Sequence, residues 1–163
     1  MYKTGQIVSY GTTGVCRISA LTERCVSGKS VQYYQLEPLH NGAATVLVPT
    51  DSEPLLRKLR PVLTADEVEA LLQSLPEAPD LWVDNEQERK NRYREIFSSS
   101  DAVALAQLAC SLYRQKQRLA ARGRRLRQSD EAVWKDAERL LCDEFAYVWG
   151  TEPREILPRL RLE

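Results

Sequence analysis

Between Ala102 and Ser129 the chain carries seven basic side chains, Arg114, Lys116, Arg118, Arg122, Arg124, Arg125 and Arg127, and no acidic one. The protein as a whole is balanced, with 23 Lys plus Arg against 23 Asp plus Glu. The positive charge is therefore segregated by position, and such a run is the electrostatic footprint of a polyanionic partner. The four guanidinium groups of Arg122, Arg124, Arg125 and Arg127 repel one another unless counterions or phosphates stand near. No aromatic pair is interleaved with them, so backbone contact suits them better than stacking on single-stranded bases. The other reading is a solvated helix end, whose side chains satisfy carbonyls and pair with acids elsewhere.

Little else has the form of a reactive site. The single histidine, His40, stands beside Asn41-Gly42, with no sequence-local Ser, Cys or carboxylate that completes a triad. A phosphate loop of the G-x-x-x-x-G-K form and a helical His-x-x-x-His metal pair are both missing from the sequence. Cys16, Cys25, Cys110 and Cys142 are widely and irregularly spaced, without a Cys-x-x-Cys pair, and read as reduced thiols. Cys110 and Cys142 sit among apolar neighbours as small buried hydrophobes. The expectation is a non-enzymatic protein without cofactor or metal. With 43% hydrophobic and 28% charged residues, and no apolar run of membrane length or leader form, it is further expected to be a soluble, cytoplasmic monomer.

The elements that must position the basic run fall into two periods. Residues 1 to about 50 alternate with period two between frequent turns. Gln6-Ile7-Val8-Ser9-Tyr10 leads through Gly11-Thr12-Thr13-Gly14 into Val15–Leu21. Arg24-Cys25-Val26, the turn Ser27-Gly28-Lys29 and Val31–Leu36 make a second hairpin, and Asn41-Gly42 precedes Ala44–Pro49. About five strands in so short a segment bury little area unless the sheet curls, which predicts a small SH3-like or Tudor-like antiparallel β barrel. The barrel is assigned to residues 1–52 and a linker to 53–63.

Residues 64–163 read as a helical bundle, making the fold class α+β. Thr64-Ala65-Asp66-Glu67 has capping-box form, and Val68, Leu71, Leu72 and Leu75 share one face before Pro76. After the stiff connector Pro76–Asp80 and Leu81-Trp82-Val83, a second helix starts near Asp84, capping with Gln87. It turns Tyr93, Ile96 and Phe97 inward and leaves Glu86, Glu88, Arg89, Lys90, Arg92 and Arg94 mostly wet. Asp101 opens a third helix with Leu105, Leu108, Leu112 and Leu119 on one stripe, ended by Gly123. The last long helix, from Ser129-Asp130 to Gly150, buries Val133, Ala137, Leu140, Leu141, Phe145 and Val148, and Trp134 and Trp149 beside that stripe read as packing residues. A short turn is expected after Thr151-Glu152-Pro153.

The opening phrase Tyr2–Val15, followed by Gly28, Tyr33-Tyr34-Gln35-Leu36 and Thr45-Val46-Leu47-Val48-Pro49, resembles the bacterial CarD/CdnL family and the RNA polymerase interacting domain of transcription-repair coupling factor. Later matches are Ser100-Asp101, Leu112-Tyr113, Ala137-Glu138-Arg139-Leu140-Leu141 and Glu144-Phe145-Ala146. Their order through nearly the whole chain carries the resemblance more than any one motif. Gln6 and Gly11 depart from it, standing where the family has an acid and a Pro, and Ser100 stands where a Gly is common.

The resemblance implies a transcription regulator that docks on the RNA polymerase β subunit by pairing an exposed edge strand with an edge of the polymerase lobe. The corresponding positions are Arg24, Cys25 and Val26, with Leu47 on a nearby strand where some members have Arg. It further implies a helical domain on promoter DNA at the edge of the melting bubble, with an indole in the minor groove and basic residues on phosphates. Trp82 is the matching Trp, beside Arg89, Lys90 and Arg92, and the basic run would add Arg122, Arg124, Arg125 and Arg127 as weak backbone contacts. Read without the resemblance, Trp82 is expected to pack between barrel and bundle, and Arg24 is a solvated turn residue. The competing function is a protein-only adaptor whose bundle binds another protein and not DNA.

Overall fold

The computed structural model describes residues 2–40 and 44–163. The expected Asn41-Gly42 turn lies outside the described residues. Two compact units are present, the first comprising Met1–Val62 with Ser98–Ser100 and the second Leu63–Phe97 with Asp101–Glu163.

The first unit is an antiparallel sheet of five strands, β1 (Ile7–Tyr10), β2 (Gly14–Val26), β3 (Lys29–Pro38), β4 (Val46–Pro49) and β5 (Leu59–Pro61), with a short helix α1 (Glu53–Leu56) before β5. Their spatial order is β4-β3-β2-β1-β5, so the sheet is open, with β4 and β5 at its two ends, and not the closed barrel expected. The supposed linker supplies α1 and β5, and β5 extends the sheet by pairing with β1 from Val8↔Pro61 to Tyr10↔Leu59. The two strands expected at Val15–Leu21 and Arg24–Val26 are one, β2, which carries an irregularity between Ile18 and Ala20. Alternation puts Val8, Cys16, Ile18, Tyr34, Leu36 and Val48 on one face, and with Leu59 they form the core of this unit. Ser100 takes φ 55, a left-handed backbone that explains why glycine suits its place. Its hydroxyl donates to the Lys58 carbonyl at 2.6 Å.

The second unit contains α2 (Ala65–Ser74), α3 (Glu86–Ser99), α4 (Ala102–Ala120), α5 (Gln128–Trp149) and α6 (Pro153–Leu160). The Thr64–Glu67 capping box is formed on both sides. Asp101 caps α4 by accepting from the Val103 and Ala104 amides. Two other caps differ from expectation. Asn85, not Asp84, accepts from the Glu88 amide at the start of α3. α5 begins at Gln128, one residue before the expected start, and Asp130 in its first turn is buried and paired with Arg89. Gly123 (φ 70) ends the turn after α4, where the Arg124 amide closes on the Leu119 carbonyl at 2.8 Å.

The main core of this unit joins Val68, Leu72 and Leu75 of α2, Ala106 and Cys110 of α4, Ala137, Leu141 and Phe145 of α5, and Ile156 and Leu160 of α6. The expected tail turn is thus a full two-turn helix that closes this core. A separate cluster of Tyr93, Leu108, Leu112 and Trp134 has Leu81 and Trp82 packed against it.

Candidate functional site

The outer half of β2 has β3 on one side only. β1 accompanies β2 from Gly14 to Arg17, and the Ile18 amide and carbonyl still bond to Gln6 and Gly5, but beyond the irregularity that flank is bare. The tip is a two-residue hairpin, Ser27 (φ 51) and Gly28 (φ 78), in which Val26 faces Lys29. Positive φ at both central residues is the type I′ geometry, and it makes the flanking pair hydrogen-bonded. Counting back by twos turns the main-chain groups of Arg24 and Thr22 toward β3 and those of Cys25, Glu23 and Leu21 outward. The same count sends Gln32 away from β2, and its carbonyl is indeed taken by the Thr50 amide at 2.9 Å. Among the described residues the open edge is therefore a row of outward main-chain donors and acceptors without a partner strand at Leu21, Glu23 and Cys25, with Leu21 47% and Val26 46% exposed beside it.

Of the four positions proposed for polymerase contact, the structure brings Arg24, Cys25 and Val26 to this edge, all exposed. Arg24 and Val26 present side chains on the face opposite the core, and Cys25 presents main chain. Leu47 shares that outer face but sits on β4, across from Gln35, which in turn faces Ala20. It lies two strands away from the bare edge. Glu23 and Leu21 were missed, although the Ser-Gly turn and period-two counting identify them.

The basic run divides sharply. Arg114 donates to the carbonyls of Leu75, Pro76 and Ala78 at the end of the α2 region. Lys116 pairs with Glu131 at 3.3 Å and lies 4.3 Å from the Trp134 ring centre. Arg118 bonds Asp80, and Arg127 bonds Glu86 at 2.7 Å. The bond from Lys90 first, and then that from Arg127, hold the Glu86 carboxyl below the usual carboxylate range. Among the described residues, Arg122, Arg124 and Arg125 are exposed and have no side-chain partner. A concavity of about 510 Å³ beside them is lined by Lys116, Ala120, Gly123, Arg124, Arg125, Leu126 and Glu131. Like charges left unneutralised at one turn are suited to phosphate oxygens.

Of the basic residues of α3 expected to stay mostly wet beside Trp82, Arg89 is buried, Arg92 is half-buried and Lys90 is exposed. Arg89 is 4% exposed, and its Nε and Nη2 donate to Asp130 at 2.9 and 3.1 Å, while Nη1 donates to the Val83 and Asp84 carbonyls. Burial works against its charge, but the bonds and charge of Asp130 outweigh burial and leave its pKa raised. Arg92 donates to the Leu81 carbonyl at 2.8 Å, and Lys90 pairs with Glu86 one turn away. The reason lies in helix phase: Arg89, Tyr93, Ile96 and Phe97 fall on one face. Trp82 is half-buried against the smaller cluster, its indole N–H donating to Asp84 at 2.9 Å and its ring 4.3 Å from the Arg89 guanidinium carbon.

Residues 2–60 match the family model for the CarD-like/TRCF RID domain. The amino-terminal unit is a CarD-like RNA polymerase interacting domain. The match takes in β1 to β4, α1 and the start of β5 and ends before α2; it supports RNA polymerase as a partner of this unit, and the helical unit stands outside it. No curated protein matches the chain. Within the RID the outer half of β2 is a free strand edge, as are the outer sides of the end strands β4 and β5.

Three cysteines are buried, and burial pushes the thiols of Cys16 and Cys110 up to about 11 and that of Cys142 to about 12. Cys25 is exposed on the RID edge. Among the described residues no group of three or more His, Cys, Asp or Glu is placed to hold a metal ion, and no helix is long and apolar enough to cross a membrane. His40 Nε2 is buried without a hydrogen-bond partner among them.

Proposed function

We propose that this protein is a non-enzymatic transcription regulator whose RID docks on the RNA polymerase β subunit by adding the bare edge of β2 to a sheet of the polymerase. The observation that carries it is the outward row at Leu21, Glu23 and Cys25 in a segment matched to an RNA polymerase interacting domain. The helical unit then meets promoter DNA and lengthens the life of the open complex. Its phosphate contacts are Arg122, Arg124 and Arg125, the members of the basic run without a side-chain partner among the described residues, and Trp82 supplies an indole at the edge of the melted region. Tethering through the RID raises the effective concentration of these contacts, so weak, sequence-tolerant ones suffice.

The test is charge removal on the full chain bound to polymerase and promoter. Replacing Arg122, Arg124 and Arg125 by Gln should reduce the salt slope of promoter binding by about 3, from about 0.9 counterion released per phosphate contact. Free duplex DNA should show little affinity for either protein. An unchanged slope removes DNA contact from the account. The second reading, a protein-only adaptor, is favoured by one observation: Arg114, Lys116, Arg118 and Arg127 are engaged within the protein, which leaves a smaller positive patch than the sequence suggests.

A further inference from the structure

The segment joining the turn after α2 to α3 has neither helix nor strand, yet its polar groups are held from several sides. The Leu81 amide donates to the Ser111 hydroxyl at 2.9 Å, and the Trp82 amide donates to Asp80 at 3.0 Å. The Val83 and Asp84 carbonyls are held by Arg89 Nη1 at 3.0 and 3.1 Å. Arg89 is itself fixed by the bidentate pair with Asp130, and Asp130 also accepts from the Tyr93 hydroxyl at 2.8 Å. A staple between α3 and α5 requires only the Arg89–Asp130 pair. Here the same guanidinium additionally bonds two carbonyls that follow Trp82 and lies over the Trp82 ring.

We propose that Arg89 is a positioning residue that presents Trp82 in one orientation, with Asp130 and Tyr93 fixing Arg89 in turn. The proposal rests on the reading of Trp82 as the indole that meets promoter DNA. Its physical logic is preorganisation: a half-exposed indole on an irregular segment loses rotamer and backbone freedom when it binds, unless that freedom is already gone. The first turn of α5 then serves both DNA-facing features, because Asp130 holds Arg89 while the preceding Arg127 is paired with Glu86 at the start of α3. Asp80, Glu86 and Asp130, three acids of the neighbourhood, are each engaged by an arginine, which lowers their repulsion of phosphate.

The experiment is a double-mutant cycle on the full chain, reading open-complex lifetime with polymerase and promoter, together with the indole N–H signals of the ¹⁵N-labelled free protein. Arg89→Lys keeps the charge but loses the fork and the planar stack. It should shorten the lifetime about two- to fivefold, the range of one cation–π contact. Combined with Trp82→Ala it should add nothing further. In the free protein the Trp82 indole signal, assigned by its loss in Trp82→Phe, should shift and show greater mobility. An equal effect of Arg89→Lys with and without the indole, or an unmoved Trp82 signal, overturns the proposal and leaves Arg89 as a staple. Trp82→Ala with unchanged lifetime sinks the DNA-facing reading instead, and the indole signal still decides whether Arg89 positions Trp82. Should Arg89→Lys not fold, Tyr93→Phe removes one bond from Asp130 and must move the same signal in the same direction, or the proposal fails.

Discussion

Arg89 and the Arg122–Arg125 turn are the same chemistry in opposite surroundings. Arg89 is enclosed, with four hydrogen bonds and an indole against its face. Arg122, Arg124 and Arg125 stand in solvent with no side-chain partner among the described residues. The lesson is that local charge density does not locate a binding surface; what matters is which charges the fold leaves unneutralised. Arg127 lies between the extremes, exposed but paired with Glu86.

Three single substitutions grade that comparison. Arg89→Ala leaves Asp130 buried and unpaired and should cost about 3–5 kcal/mol in chemical denaturation. Arg127→Ala should cost far less, because exposed ion pairs contribute little. Its contribution is present above the unfolded pKa of Glu86 and is lost as pH falls through the depressed folded value. Arg124→Ala should change stability by no more than about 0.5 kcal/mol. An Arg124 cost equal to that of Arg89 would erase the distinction.

Thiol chemistry extends the same contrast to the RID. At pH 8 Cys25 should react rapidly with a disulfide reagent while Cys16, Cys110 and Cys142, buried and held protonated, react only on unfolding. Bound polymerase should slow Cys25 selectively. Two fast thiols in the free protein would show that a core opens where the structure has it closed.

The parts legible in the sequence were those governed by local rules. Thr64-x-x-Glu67 formed its capping box, Asp101 capped α4, and period two marked the strands of the RID. The fifth strand was not legible, because β5 is only Leu59-Arg60-Pro61 and its assignment depends on pairing with β1 far back in the chain. Arg89 was half legible. Its phase with Tyr93 points inward, but its partner Asp130 is 41 residues away, and without that partner a charged residue on a helix reads as solvated. The partners of Lys116, Arg118 and Arg127 were not legible for the same reason, since Glu131, Asp80 and Glu86 reach them only through tertiary packing.

The central claim is that the bare edge of β2 is the polymerase-docking surface, and the affinity of full-length Glu23→Pro for RNA polymerase tests it most directly. Proline removes the outward amide at the middle of the edge while the inward ladder to β3 stays intact. Glu23→Ala, which removes the side chain and its bond to Ser30 but keeps the amide, is the control. The account predicts that the proline variant, with its far-ultraviolet spectrum unchanged, binds at least about tenfold more weakly, the equivalent of about one charge-free main-chain bond, and that the alanine variant binds as the parent does. Equal binding by the proline variant and the parent would contradict it.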